Sequence, residues 1–190
     1  MNSQAALYKD LDRILVTKEE IAASVKALGE KLTADYAGTE PVLLGILKGA
    51  IVFYSDLMRE IDLPVSCEFM AVSSYGSATK STGVVQIRKD LDHDITGKHI
   101  IIVEDIVDSG VTLNYLKGHL TNRGAASIRI ATLLDKPARR RVDLKPDYTC
   151  FEIPDSFVVG YGLDYGEKYR NLPDIGVLAP RIYQNQGGFA

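Results

Sequence analysis

Cysteine is scarce in this chain. Two occur, Cys67 and Cys150, far apart and outside any CxxC spacing, which excludes a disulfide scaffold and a structural zinc knot and points to a reducing compartment. Histidine is also sparse: His93, His99 and His119 are scattered without metal-ligand spacing, and none pairs with a cysteine in a catalytic pattern. No apolar stretch approaches the roughly 18 residues that a membrane span needs. The opening MNSQAALYKD has neither an apolar core nor a small-residue cleavage site. A cytoplasmic protein with no membrane partner is therefore expected. A basic excess is missing as well. Lys and Arg number 22 against 25 Asp and Glu, net charge −3, with pI 5.6, which argues against nucleic acid as a partner. The run Arg139-Arg140-Arg141 is accordingly read as a solvated turn. The string GxxxxGK[ST] does not occur. The nearest dinucleotide fingerprint, Gly160-Tyr161-Gly162, has its third glycine displaced to Gly166 and no clear helix after it. There is no internal repeat and no low-complexity tract.

What is present is ordinary for a globular chain: 190 residues, 46% apolar and 25% charged, enough for a single domain spanning 1–190. Thr17 and Glu20 have capping-box spacing. Ile21, Val25, Leu28 and Leu32 then form one apolar helical stripe, ended by Gly38 and Pro41. Val42 to Leu47 is an apolar run without alternation, the mark of a strand buried on both faces. A helix is expected from Ala50 to about Ile61, then an alternating strand through Val65, Cys67 and Phe69. Ser74 to Gly83 is a Gly/Ser/Thr-rich loop, followed by a returning strand from Val84 to Arg88, so the two strands form a protruding hairpin. His99 to Val103 is the strongest buried-strand signal. Glu104 to Gly110 follows as a loop, a helix runs from Val111 to Gly124, and Ser127 to Leu134 is another strand. Further strands are expected at Asp147–Ile153, Phe157–Val159 and Ile175–Ala179. Two strand–loop–helix–strand units predict an α/β fold with a mainly parallel sheet.

Ligands of such sheets collect at the carboxyl ends of the strands. Three polar clusters fall there: Lys48-Gly49, Glu104 to Thr112, and Asp135-Lys136. The central cluster has two halves of opposite character. Ser109, Gly110 and Thr112 lie at a helix mouth, where main-chain N–H groups, hydroxyls and the helix dipole favour a phosphate. Glu104 and Asp105 would repel phosphate but accept hydrogen bonds from a diol or ligate Mg²⁺. A ribose 5-phosphate satisfies both halves.

The segment VEDIVDSGVTL (Val103 to Leu113) resembles the phosphoribosyl-pyrophosphate signature of type I phosphoribosyltransferases. LLGILKGA (Leu43 to Ala50), SSYG (Ser73 to Gly76), LLDKP (Leu133 to Pro137) and FVVGYGLDYGEKYRNLP (Phe157 to Pro173) resemble the hypoxanthine-guanine phosphoribosyltransferase family, in matching order. The resemblance implies a twisted, mainly parallel sheet flanked by helices, a small hood and a flexible lid hairpin. The core would comprise about 38–135 and 147–160, and the hood the N-terminal segment with about 136–190. It implies transfer of 5-phosphoribosyl from phosphoribosyl pyrophosphate to N9 of a 6-oxopurine base, with Mg²⁺ and release of pyrophosphate, and a homodimer or homotetramer.

The resemblance also implies roles. Glu104 and Asp105 would hold the ribose hydroxyls directly or through metal, with Asp164 as a third metal ligand. Asp108 would be the catalytic carboxylate that takes the proton from purine N7. Ser109, Gly110, Val111 and Thr112 would cradle the 5-phosphate. Lys48 and Gly49 would form the pyrophosphate loop, with a cis peptide at Leu47–Lys48, and Arg170 would contact pyrophosphate oxygens. Lys136 would donate to the purine 6-oxo group, Phe157 would stack on the base and the main chain of Val158 would read its edge. Ser74 and Tyr75 would begin the lid. Two other readings stay open on the residues alone: a regulatory protein binding the donor or a nucleotide on the same fold, and a transferase for adenine, uracil or orotate.

Overall fold

The structure, a computed structural model, describes residues 4–74 and 85–184. A short helix α1 (Gln4–Tyr8) and strand β1 (Leu11–Val16) precede the long helix α2 (Lys18–Asp35). The capping box at Thr17 is complete: the Glu20 main-chain N–H donates to Thr17 Oγ1 and the Thr17 N–H donates to Glu20 Oε2. Then come β2 (Val42–Leu47), α3 (Ile51–Glu60), β3 (Ser66–Ser74), β4 (Val85–Lys89), β5 (His99–Val107), α4 (Val111–Asn122) and β6 (Ser127–Asp135). The chain continues through β7 (Tyr148–Glu152), β8 (Val158–Val159), β9 (Ile175–Leu178) and α5 (Pro180–Tyr183).

Six strands form the main sheet in the order β4-β3-β2-β5-β6-β7, parallel except for β4. The unbroken apolar runs of β2 and β5 have a physical cause in this arrangement. Successive side chains point to opposite faces, and both faces are covered. Leu43, Ile101 and Val103 pack beneath α2 and α3 with Phe53 and Leu57. Leu44, Ile100 and Ile102 pack on the other face against Leu113, Leu116 and Leu120 of α4.

A second sheet, β1-β9-β8, is antiparallel and forms the hood. It joins the chain's N-terminal strand to segments more than a hundred residues later. Asp174 locks this join, accepting from Tyr8 Oη and, at 2.8 Å, from the Lys18 N–H.

Three expectations change. Strand β1 was not expected; its sequence LDRILV carries little apolar alternation because its middle residues stay exposed. Strand β5 does not end at Val103 but continues to Val107, pairing Glu104 with Thr132 and Ile106 with Leu134. The two acids therefore stand on a strand rather than in a loop. Val158 and Val159, expected in the core unit, pair with Val177 and Gly176 in the hood sheet. The hairpin strands β3 and β4 are antiparallel as expected. The side chain of Ser74 and all of Tyr75, with the rest of the expected lid through Gly83, lie outside the described residues.

Ile102 is fully buried in the strand that carries the acids. Truncating it to Ala should destabilise the fold by about 2–5 kcal/mol, read as a lower urea midpoint at unchanged slope. A loss under about 1 kcal/mol would contradict the two-sided burial of β5.

Candidate functional site

Strand β5 delivers the site. Its last turn of chain passes from Glu104 through Asp108-Ser109 to Gly110, whose φ of +76° places the N-cap of α4 in the left-handed region, open to glycine at little expense. Helix α4 has no side-chain cap and no acid in its first turn. The Val111 N–H donates only at 3.4 Å to Ser109 Oγ, and a helix N-terminus of this kind favours an anion. A small cavity of about 110 Å³ opens there, lined by Glu104, Asp108, Ser109, Gly110 and Thr112.

Glu104 and Asp105 are neighbours in sequence with different surroundings. Glu104 borders that small cavity, and its Oε2 is buried without a hydrogen-bond partner among the described residues. Burial, and then the charge of Asp105, hold its carboxyl well above the usual range. Asp105 instead lies against the pyrophosphate-loop candidate: a Cβ on Gly49 would collide with its carboxylate. Burial pushes Asp105 up to about 6, and the Asp164 carboxylate adds to this, against the main-chain N–H groups of Ile106 and Asp105 and the charge of Arg170.

Two acids raised by burial, one with an unpartnered oxygen, are a donor set short of a cation. No group of three His, Cys, Asp or Glu side chains converges as a metal cage among the described residues. Glu104, Asp105 and Asp164 therefore do not form a protein-only site. Magnesium suits such a half-built site, because it commonly takes one or two carboxylates and draws its other ligands from substrate oxygens and water.

The Leu47–Lys48 peptide is cis, as expected. Gly49 is wedged between Asp105 and Gly162, whose own Cβ would meet the Gly49 carbonyl. Lys48 Nζ reaches Glu167 at 3.1 Å. Arg170 donates to the Gly162 carbonyl at 2.8 Å and pairs with Asp164 at 2.7 Å. Lys48-Gly49, Asp105 and the turn holding Asp164 and Arg170 are thus brought together from three segments.

A second cavity, of about 420 Å³, adjoins the first. Lys136, Phe157, Val158 and Leu163 are among the residues that line it. Lys136 is only 8% exposed, and its Nζ donates to the Ser156 carbonyl at 2.6 Å. Burial pulls its pKa down, while Asp108 and Asp155 oppose that shift. Phe157 is 42% exposed; its ring stacks with Tyr183 at 5.3 Å between centroids and meets Tyr165 edge-on at 5.6 Å. Asp108 and Ile106 line both cavities.

The arginine run is not a solvated turn throughout. Arg139 Nε donates to Asp108 Oδ1 at 2.9 Å and its Nη1 reaches Asp155 at 3.4 Å. Arg140 pairs with the buried Asp135 and donates to the Asp108 carbonyl at 2.7 Å. A carboxylate closing the apolar strand ATLLD had to find a partner, and that signal was available in the sequence. No comparable signal marked Tyr183, Tyr165 or Glu167, which reach the site only through the hood.

Comparison with known proteins adds to this geometry. The family model described as a phosphoribosyl transferase domain matches residues 13–166. The chain is 52% identical over 179 residues to the hypoxanthine-guanine phosphoribosyltransferase of Streptococcus pneumoniae strain R6, covering 94% of this chain and 99% of that one. It is 53% identical over 176 residues to the Bacillus subtilis protein of the same name, covering 93% and 98%. A crystal structure of a Staphylococcus aureus hypoxanthine phosphoribosyltransferase superposes with a TM-score of 0.93 at 50% identity, covering 97% of this chain and all of that one.

The raised acids make stability depend on pH in a defined direction. A carboxyl that holds its proton more tightly when folded stabilises the fold fully below its unfolded value, 3.8 for Asp105, and loses that contribution as pH rises through about 6. Asp105→Asn should therefore raise the melting temperature of the metal-free protein at pH 8 and leave it nearly unchanged at pH 4. Added Mg²⁺ should narrow the gap at pH 8 by stabilising the parent chain. Calorimetry in EDTA showing a variant less stable than the parent at pH 8 would refute the burial argument.

Proposed function

The chain belongs to the hypoxanthine-guanine phosphoribosyltransferase family, and on that premise we propose which of its residues perform each part of the transfer. The reaction moves a 5-phosphoribosyl group from its pyrophosphate donor to N9 of hypoxanthine or guanine. The observation that carries the assignment is the shared wall at Asp108: one carboxylate borders both a phosphate-sized cradle and a base-sized cavity.

In this reading the first turn of α4, with Ser109 and Thr112, holds the 5-phosphate through main-chain and hydroxyl donors. Glu104 and Asp105 accept from the ribose hydroxyls. A bound Mg²⁺ supplies charge neutralisation on the departing pyrophosphate. The unpartnered Oε2 of Glu104 and the raised carboxyl of Asp105 support its place beside these two acids. Lys48 and Arg170, beside Asp105 and Asp164, meet the pyrophosphate oxygens, where positive groups stabilise charge as it develops on the leaving group.

The base lies in the larger cavity with a face toward Phe157. Lys136 has one N–H committed to the Ser156 carbonyl and others free for the 6-oxo group. An ammonium donates and cannot accept, so the 6-amino group of adenine would leave it unmatched. Polar sites reject such analogues strongly. Asp108, hydrogen-bonded to Arg139, takes the proton from N7 as N9 attacks C1 of the ribose. Positive charge builds on that sugar carbon, and the hood over the cavity limits the approach of water.

A base-panel assay with the donor and Mg²⁺ tests the reading. Turnover is expected with hypoxanthine or guanine and little with adenine. Asp108→Asn should lower kcat by about 10²–10⁴-fold while donor binding changes only a few-fold. Near-normal turnover in that variant would remove Asp108 from the role of base.

A further inference from the structure

The turn between Gly162 and Arg170 holds an acid that the proposed reaction does not use. Glu167 sits there with φ at +63°, a region sparsely occupied by residues with side chains. Asp164 Oδ2 fixes its main-chain N–H at 2.9 Å. The carboxylate then reaches two cations at once: Lys48 Nζ at 3.1 Å and Arg170 Nη2 at 3.4 Å. Lys48 holds the Glu167 carboxyl below its usual range, and Arg170 adds to that.

The two cations are held unequally. Arg170 keeps Asp164 and the Gly162 carbonyl whether or not Glu167 is present. Lys48 has Glu167 as its one carboxylate partner among the described residues. Arg170 Nε is buried and has no hydrogen-bond partner among the described residues. The pair is therefore only partly satisfied by protein groups, and a doubly charged oxyanion would complete it better than one carboxylate does.

We infer that Glu167 is an internal stand-in for pyrophosphate. It neutralises Lys48 and Arg170 while no pyrophosphate group is bound, and it gives up both when one arrives. This rests on the reading that Lys48 and Arg170 grip pyrophosphate. Glu167 touches no substrate and is a positioning residue. Its competition weakens capture of the donor and by the same amount eases release of the product. The Lys48–Glu167 pair is exposed on both sides, and the Arg170–Glu167 pair is long, at 3.4 Å, with an exposed acid, so each contributes modestly.

The test is calorimetric titration of the full chain with magnesium pyrophosphate, beside steady-state kinetics. Glu167→Gln should bind pyrophosphate about three- to tenfold more tightly. The KM for the donor should fall similarly and the KM for the base should not move. The tightening should shrink at high ionic strength and fall below about twofold in a Lys48→Ala background, since the competition acts through that lysine. Unchanged or weaker pyrophosphate binding in Glu167→Gln, with Lys48→Ala weakening it as expected, would show that Glu167 braces the cations and would overturn the inference alone. Unchanged binding in Lys48→Ala would instead remove the pyrophosphate assignment, and the inference with it.

Discussion

Two carboxylates stand at the end of a strand buried on both faces, and much of the site can be understood from how little around them offsets their burial. Strand β5 is covered on both faces, so Glu104 and Asp105 emerge from the core with little water around them. Their neighbours offset this only in part: Glu104 has an oxygen without a partner among the described residues, and Asp105 accepts from the Ile106 main-chain N–H and feels the charge of Arg170. An isolated buried charge is costly, and the raised carboxyls express that. Immediately beyond, the bare N-terminus of α4 favours the opposite sign. A ligand that brings cation-binding oxygens, hydroxyls and a phosphate in that order relieves every one of these demands.

How far the sequence revealed this depends on the range of the interactions. The buried strands β2 and β5 were legible because a short, unbroken apolar run ending in polar residues suits a strand covered on both faces and little else. The complete capping box at Thr17 was legible because it lies within four consecutive residues, Thr17 to Glu20. Strand β1 was not, since its partner β9 lies at the far end of the chain and its own middle residues stay exposed. The end of β5 was misjudged because Glu104-Asp105 looks polar, yet pairing with β6 carries the extended backbone through the acids to Val107. The pairing energy of the ladder outweighed the polar composition.

The site divides along the same line. Ser109, Gly110 and Thr112 follow one another at a single helix mouth, so local reading found them together. The base cavity is assembled from the core, the segment after β6 and the hood. Lys136 and Phe157 entered through a family resemblance; Glu167 lies inside a resembling segment but drew no role from it, and Arg139 and Tyr183 lie outside those segments. The arginine run was misread because overall charge balance was used to judge a local feature. Asp135, buried at the end of β6, is the better guide: it requires a cation nearby, and Arg140 supplies it.

That correction also accounts for how the two cavities keep their register. The segment following β6 is stitched onto the end of β5 by three bonds. The Lys136 N–H donates to the Val107 carbonyl at 2.9 Å, Arg140 to the Asp108 carbonyl at 2.7 Å, and the Arg141 N–H to the Ser109 carbonyl at 3.0 Å. Each bond joins the segment after β6, which carries Lys136, to the stretch from Val107 to Ser109 that borders the smaller cavity. The Lys136 ammonium and the Asp108 carboxylate, which line the same cavity and to which we assign base recognition and proton transfer, are therefore fixed relative to one another, although 28 positions separate Asp108 from Lys136 in the chain. A geometry error of an ångström between such groups is enough to lose much of a rate. The structure removes that freedom through main-chain bonds and the buried Arg140–Asp135 pair, whereas the Lys48–Glu167 contact is exposed and, on the inference above, is the one that yields to a ligand.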